Sequence, residues 1–404
     1  MRFHISAVAW CAVALSQACS NGDPGPVTGG RGGSAGSSPG VGGSGAATGG
    51  AAGSSGASGS GAGRGGAAGG GAGGTGGGAG TGVAGNGNLS SRYPGDVGIG
   101  ADPAVLFHDD FESGWGRWDA PTQNTSYLVL ENDASRARAG SRYLRSTVTT
   151  AHLQATEYIS SSTRVTFERR VDQIYWRFYA RFPNIAPNPH HWVRMAAGDE
   201  TYDSSGRANT VPAGDAGFWF DFDANNDDQF NFYAYWYKMR SGRCNDGSAT
   251  PGCAGDQGTT YYYGNVFEPP GQSAFPRNRW FCIEIHAKAN RVGASDGELS
   301  FWIDDASVGR YGPGYPVGTW LRAQFHTNGC SFSACTPPQP FTGFDFRSAS
   351  DVGYKSLFLD AYYERNTSAS KRAVLEGRGL TVSDEQTILY DDVVVATERI
   401  GCAR

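Results

Sequence analysis

From Leu106 onward, apolar and polar residues alternate with a period of two, the repeat of strands rather than helices. In residues 174–182, Ile174, Trp176, Phe178, Ala180 and Phe182 fall on one face, and Tyr175, Arg177, Tyr179 and Arg181 on the other. Residues 281–288 alternate likewise and place Glu284, His286 and Lys288 together. Asp296 and Gly297 make a tight turn before a strand at 299–303, and further strands are predicted at 357–363 and 388–396. Residues 217–237 read as a hairpin turning at 224–228. No amphipathic helical repeat of 12 residues is found. Many short strands separated by turn signals over about 300 residues predict an all-β fold, a two-sheet antiparallel sandwich or jelly roll.

The chain before this region has another character. Of 61 glycines, 32 lie between Gly22 and Gly87, where the only charges are Asp23, Arg31 and Arg64. Such a segment has too little apolar surface to offset the entropy of ordering. Residues 19–102 are therefore expected to be a disordered linker, and residues 103–404 the folded domain. Residues 1–18 read as a signal peptide: Arg2, an apolar run at 7–15, then Ser16, Gln17, Ala18 and Cys19 at a cleavage site. This pattern is similar to a bacterial lipobox, so Cys19 is the expected lipidation site of a surface or secreted protein, with the lipid as its sole membrane contact. A net charge of −5 argues against a nucleic-acid partner held by a basic surface.

Beyond Cys11 and Cys19, six cysteines remain. Fifteen pairings are possible, of which we favour Cys244–Cys253 and Cys330–Cys335 as loop staples and Cys282–Cys402 as a tie on the C-terminal tail. Zinc is disfavoured because no C-x-x-C pair or histidine lies at ligand spacing.

A sandwich strand turns one face to the core. Here the other face carries Arg, Tyr, His and Glu, a mixture suited to sugars, whose C–H faces stack on rings while their hydroxyls take hydrogen bonds. Three segments together, 109–115, 280–303 and 390–402, resemble the secreted cellulose-induced-protein family, a concanavalin A-like jelly roll similar to glucuronan and alginate lyases. The resemblance implies a polysaccharide partner and lyase-like β-elimination on a uronate-containing chain. It implies a structural calcium ion held by Glu112, the loop at 139–142 and one of Asp391 and Asp392, since calcium takes six to eight oxygen ligands. It also implies cleft residues: Arg177 and Tyr179, Glu284 and His286, Asp360 and Tyr362, and His191. The family's His-x-Arg on the strand before the hairpin is replaced by Phe218, Trp219 and Phe220, which leaves Arg194 or Arg177 to meet an acidic sugar.

Elimination needs a group that neutralises the carboxyl beside the acidic carbon, a base, and a proton donor for the leaving oxygen. The expected catalytic set is Arg177, His191, His286 and Tyr362, with Tyr179, Arg194, Tyr235, Glu284 and Asp360 binding substrate. A hydrolase would need two carboxylates across the glycosidic oxygen. Glu284 and Asp360 could serve, but the E-x-D-x-x-E strand signature of jelly-roll glucanases is absent. Residues 221–227 resemble the start of an EF-hand loop but end on Phe232 where glutamate belongs, so they read as a turn. A non-catalytic carbohydrate-binding module or a surface adhesion protein is the alternative.

Overall fold

The computed structural model describes residues 87–404 apart from 120, 124, 199–207, 225–228, 259–261, 272–274, 328, 331–334, 336 and 404. The expected signal peptide, Cys19 and most of the expected linker lie outside the described residues.

Strands occur in chain order as β1 (Val105–Asp109), β2 (Pro121–Gln123), β3 (Leu128–Asn132), β4 (Arg142–Thr149), β5 (Tyr158–Val171), β6 (Gln173–Arg181), β7 (Val193–Gly198), β8 (Gly217–Ala224) and β9 (Phe230–Tyr235). They continue as β10 (Asn265–Glu268), β11 (Phe281–Lys288), β12 (Glu298–Ile303), β13 (Ala306–Tyr311), β14 (Val317–Leu321), β15 (Gln324–His326), β16 (Gln339–Pro340), β17 (Tyr354–Glu364) and β18 (Glu385–Ala396). The first sheet runs β13-β12-β11-β6-β18-β4-β3, with β1 also paired to β18. The second runs β16-β14-β15-β10-β9-β8-β7-β17-β5-β2. Among the described residues, all strand pairings are antiparallel except β10 with β15.

The expected sandwich is present, with strands at each expected position. Its core is aromatic: Phe178 of β6 packs on Trp176, Trp192 and Tyr390, and Trp192 in turn on Phe222. The indole of Trp192 donates to Tyr390 Oη at 2.7 Å, so this pair of polar tips is satisfied inside the core. The three favoured disulfides are formed. Closing 120 residues through Cys282–Cys402 removes denatured-state entropy equivalent to about 5 kcal/mol in the chain-entropy model.

Two features depart from expectation. Residues assigned by composition to the linker are folded: α1 (Leu89–Arg92) and 3-10 turns at Pro94–Asp96 and Ile99–Ala101 pack on the first sheet. A short α2 (Thr150–Thr156) and a 13-residue helix, α3 (Arg365–Gly377), also form where no helix was expected. The buried row of α3 is Ser368, Lys371 and Leu375, mostly polar, so no apolar stripe announces it.

Candidate functional site

The expected cleft residues divide between the two outer faces of the sandwich. On the first sheet, Arg177, Tyr179, Glu284 and His286 point away from the core, as alternation predicts, but that face is covered. Leu89, Ile99 and Ile400 pack there against Val394, Ala396 and Tyr175. Arg177 is fully buried and donates to Asp96 at 2.7 Å. Glu284, 1% exposed, accepts from the amides of Ile400 and Gly401 at 2.7 and 3.1 Å. The Tyr179 hydroxyl accepts from Ala403 N at 2.8 Å. His286 stacks on Tyr175 at 4.5 Å, and burial pushes its imidazole down to about 4. These four residues are therefore not brought together with His191, Arg194, Asp360 and Tyr362. The reason is that β6 and β11 belong to the first sheet and β7 and β17 to the second; the segment before β1 and the C-terminal tail then bury the first group.

Glu112 and Asp391 grip one loop from two sides. Glu112 accepts from Ser141 N, Ser141 Oγ and Arg142 N at 2.6–2.9 Å. Asp391 accepts from Arg138 N at 2.9 Å, while Asp392 pairs with the Arg138 guanidinium at 2.8 Å. Burial, then the neighbouring Asp392, pushes the Asp391 carboxyl up to about 8. An acid so disfavoured as an anion gains most from a nearby cation. The buried Asp109 Oδ2, on the residue that pairs with Val393 in the β1–β18 ladder, lacks a hydrogen-bond partner among the described residues. Glu112 and Asp391, expected as calcium ligands, thus turn their carboxylate oxygens to backbone amides and the Ser141 hydroxyl, while Asp392 is turned to arginine.

The second sheet carries the open cluster. In β8, Phe218, Phe220 and Phe222 enter the core, so Asp221 and Asp223 point outward. Arg194 on β7 lies opposite Asp221, and Tyr233 on β9 flanks it on the other side. The chain just before β7 bridges to Tyr362 of β17, bringing His191 to the same face. The His191 ring lies 4.6 Å from Tyr233 and 5.9 Å from Tyr362. Asp360 takes a hydrogen bond from Ser160 Oγ at 3.1 Å. Tyr235 stacks on Trp219 at 4.2 Å and is 5% exposed, a wall of the face rather than a projecting ring.

Charges on this face are matched in pairs. Arg194 donates twice to Asp221, Nε to Oδ1 at 2.5 Å and Nη2 to Oδ2 at 2.9 Å. Asp223 accepts from Trp192 N at 2.7 Å and meets His191 Nδ1 at 2.9 Å. Burial acts to lower the His191 pKa, but Asp223 and then Asp221 outweigh it and hold the imidazole above its ordinary 6.5. Burial drives Asp360 up to about 7, with Arg194 opposing and Asp221 adding to the shift. Burial likewise raises the Tyr233 phenol well above 10, which keeps it protonated and able to donate a hydrogen bond.

His191, Asp221 and Asp223 each offer a ligand atom within 4.8 Å of one another, a group able to hold a metal ion. Both Asp221 oxygens already serve Arg194, and both Asp223 oxygens are engaged, so the group is self-neutralised as it stands. The sequence reading missed Asp221, Asp223 and Tyr233 because it assigned the acidic run to a turn. Their signal was available: Phe-Trp-Phe-Asp-Phe-Asp alternates through Asp223 before the turn begins.

The fold and this face define a β-sandwich with an acid–base cluster on one open sheet. No family model matches the chain, and no curated protein matches it. Among solved structures it is similar to the endo-β-1,4-glucuronan lyase of the fungus Trichoderma reesei: 14% identity, 72% of this chain and 95% of that one, TM-score 0.39. It is similar to the alginate lyase of Aplysia kurodai at 14% identity, over 73% of this chain and 97% of that one, TM-score 0.43. It is also similar to the cellulose-induced protein Cip1 at 14% identity, over 73% and 99%, TM-score 0.36.

Proposed function

We propose that the outer face of the second sheet binds an acidic polysaccharide and cleaves it by β-elimination, on a protein exported and held at the cell surface by a lipid on Cys19. The observation that carries this reading is the company His191 keeps. Its Nδ1 is held by Asp223 and its ring stands beside two tyrosines, while the neighbouring carboxylates Asp221 and Asp223 are already engaged. In this reading His191 Nε2 takes the C5 proton and the C5 electron pair forms the C4–C5 double bond. The C4–O bond breaks, and the Tyr362 hydroxyl gives its proton to the departing oxygen. Arg194 and the protonated Asp360 meet the uronate carboxyl, where negative charge builds in the transition state. Three disulfides suit a protein that works outside the cytoplasm.

The test is incubation of the purified chain with glucuronan, alginate and pectic acid, read by the ultraviolet absorbance of unsaturated ends. New absorbance that His191→Ala and Tyr362→Phe each cut by about a hundredfold or more supports the lyase. The second reading, a carbohydrate-binding module, is favoured by the two hydrogen bonds that commit one edge of the Arg194 guanidinium to Asp221. Saturable binding without new absorbance would establish it in place of the lyase.

A further inference from the structure

We infer that Lys371 is a positioning residue for the His191–Asp223 pair. Lys371 sits on the inner face of α3 and is 5% exposed. Its ammonium donates to Pro189 O at 2.7 Å and to Ala224 O at 2.9 Å. The first carbonyl lies two residues before His191, and the second one residue after Asp223. One side chain from a third element thus ties together the two backbone segments that carry the imidazole and its carboxylate. A buried ammonium is costly unless hydrogen-bonded, so both carbonyls are held firmly to it.

The helix supplying the lysine is itself anchored. Glu364 caps it through the amides of Asn366 and Thr367 at 2.9 and 2.7 Å. Ser368 Oγ donates to Gln386 at 3.3 Å, and Arg372 Nη2 to Ser383 O at 2.8 Å. Lys371 passes this rigidity to the site.

What it protects is the tautomer of His191. Asp223 is an acceptor only, so its contact at 2.9 Å requires the proton on Nδ1 and leaves Nε2 as the basic nitrogen. Around the ring stand Asp221, Arg194 and Asp360 as charged or titratable groups, with the rings of His190, Tyr233 and Tyr362. A shift of Pro189 or Ala224 by a few tenths of an ångström would lengthen the contact and free the ring to choose its tautomer. The inference uses the reading of His191 as a base but is tested apart from it.

The experiment is nitrogen NMR of the His191 ring in the full chain at a pH where the imidazole is neutral, together with turnover of uronan and the melting temperature. Wild type is expected to show the Nδ1–H signature. Lys371→Met is expected to move it toward the mixture of a free imidazole and to lower kcat about tenfold or more with KM little changed; Lys371→Arg, which keeps the donors, is expected to retain it. Combined with Asp223→Asn, Lys371→Met is expected to add nothing beyond Asp223→Asn alone. If the methionine variant does not fold, Lys371→Gln, with its shorter reach, is expected to give the same shift. A lowered melting temperature with an unaltered ring signature, in either variant, overturns the inference. A shifted signature in a protein whose wild type cleaves no uronan sustains it and removes the lyase reading instead.

Discussion

Arg194 and Asp221 meet edge to edge across neighbouring strands, two parallel hydrogen bonds from one guanidinium to one carboxylate that is 1% exposed. Arg194 therefore arrives at the open face with its charge already matched, and it orients through hydrogen bonding more than through net charge. Removing Arg194 leaves a buried carboxylate alone. Arg194→Ala is expected to cost about 3–5 kcal/mol in denaturant unfolding, because an uncompensated buried charge is worse than no pair. Arg194→Ala with Asp221→Ala is expected to recover much of that loss. Additive losses in the double variant would show that the pair does not act as a unit.

Proton affinity at Asp360 sets a pH dependence of known sign. Its carboxyl holds its proton up to about 7 in the folded chain against an ordinary 3.8, so its contribution to stability is complete below about 3.8 and fades as pH rises to about 7. His191, raised above 6.5, favours folding below that value and loses its contribution as pH rises through its folded value. Elimination needs His191 free of its second proton and Asp360 still carrying its own, so a bell-shaped rate profile is expected, and Asp360→Asn should flatten its alkaline limb. A profile unchanged in Asp360→Asn would take that residue out of the chemistry.

Calcium at Glu112 and Asp391 is expected to stabilise the folded chain by mass action. Chelation should lower the melting temperature, added calcium should restore it, and Glu112→Gln should blunt the response. Identical melting curves with and without chelator would mean that the loop at 138–142 is held by its amide hydrogen bonds alone.

The covered face of the first sheet predicts the opposite pattern from the open one. Arg177→Met leaves Asp96 without its cation, and Glu284→Ala leaves two tail amides unpaired, so both should lower the melting temperature. His286→Ala should leave uronan turnover within about twofold of wild type. A hundredfold loss in His286→Ala, with the fold intact, would return the chemistry to that sheet.

Strands and their faces were legible because alternation is local: Trp176 inward and Arg177 outward follow from chain parity alone. Parity does not say which sheet a strand joins. His191 and His286 looked equivalent by that measure, yet long-range pairing puts them on opposite sides of the sandwich. Nor does it say what lies over an outward face. The segment that buries Arg177 follows a glycine-rich tract and carries few apolar residues, but Leu89 and Ile99 are both fully buried. Lys371 was hidden for the converse reason, since a lysine on a short polar helix gives no sign of turning inward.

The first described residues hydrogen-bond to the last ones: Leu89 N to Arg399 O and Ser90 N to Ile400 O. Both termini of the domain thus converge on the covered side of the sandwich, and a disulfide fastens one of them there. Leu89, Ser90, Arg399 and Ile400 therefore lie on the opposite side of the sandwich from His191 and Arg194. The domain is wired like a lamp fitted from behind: its described ends share the covered side, and the cluster of His191 and Arg194 has the other side to itself.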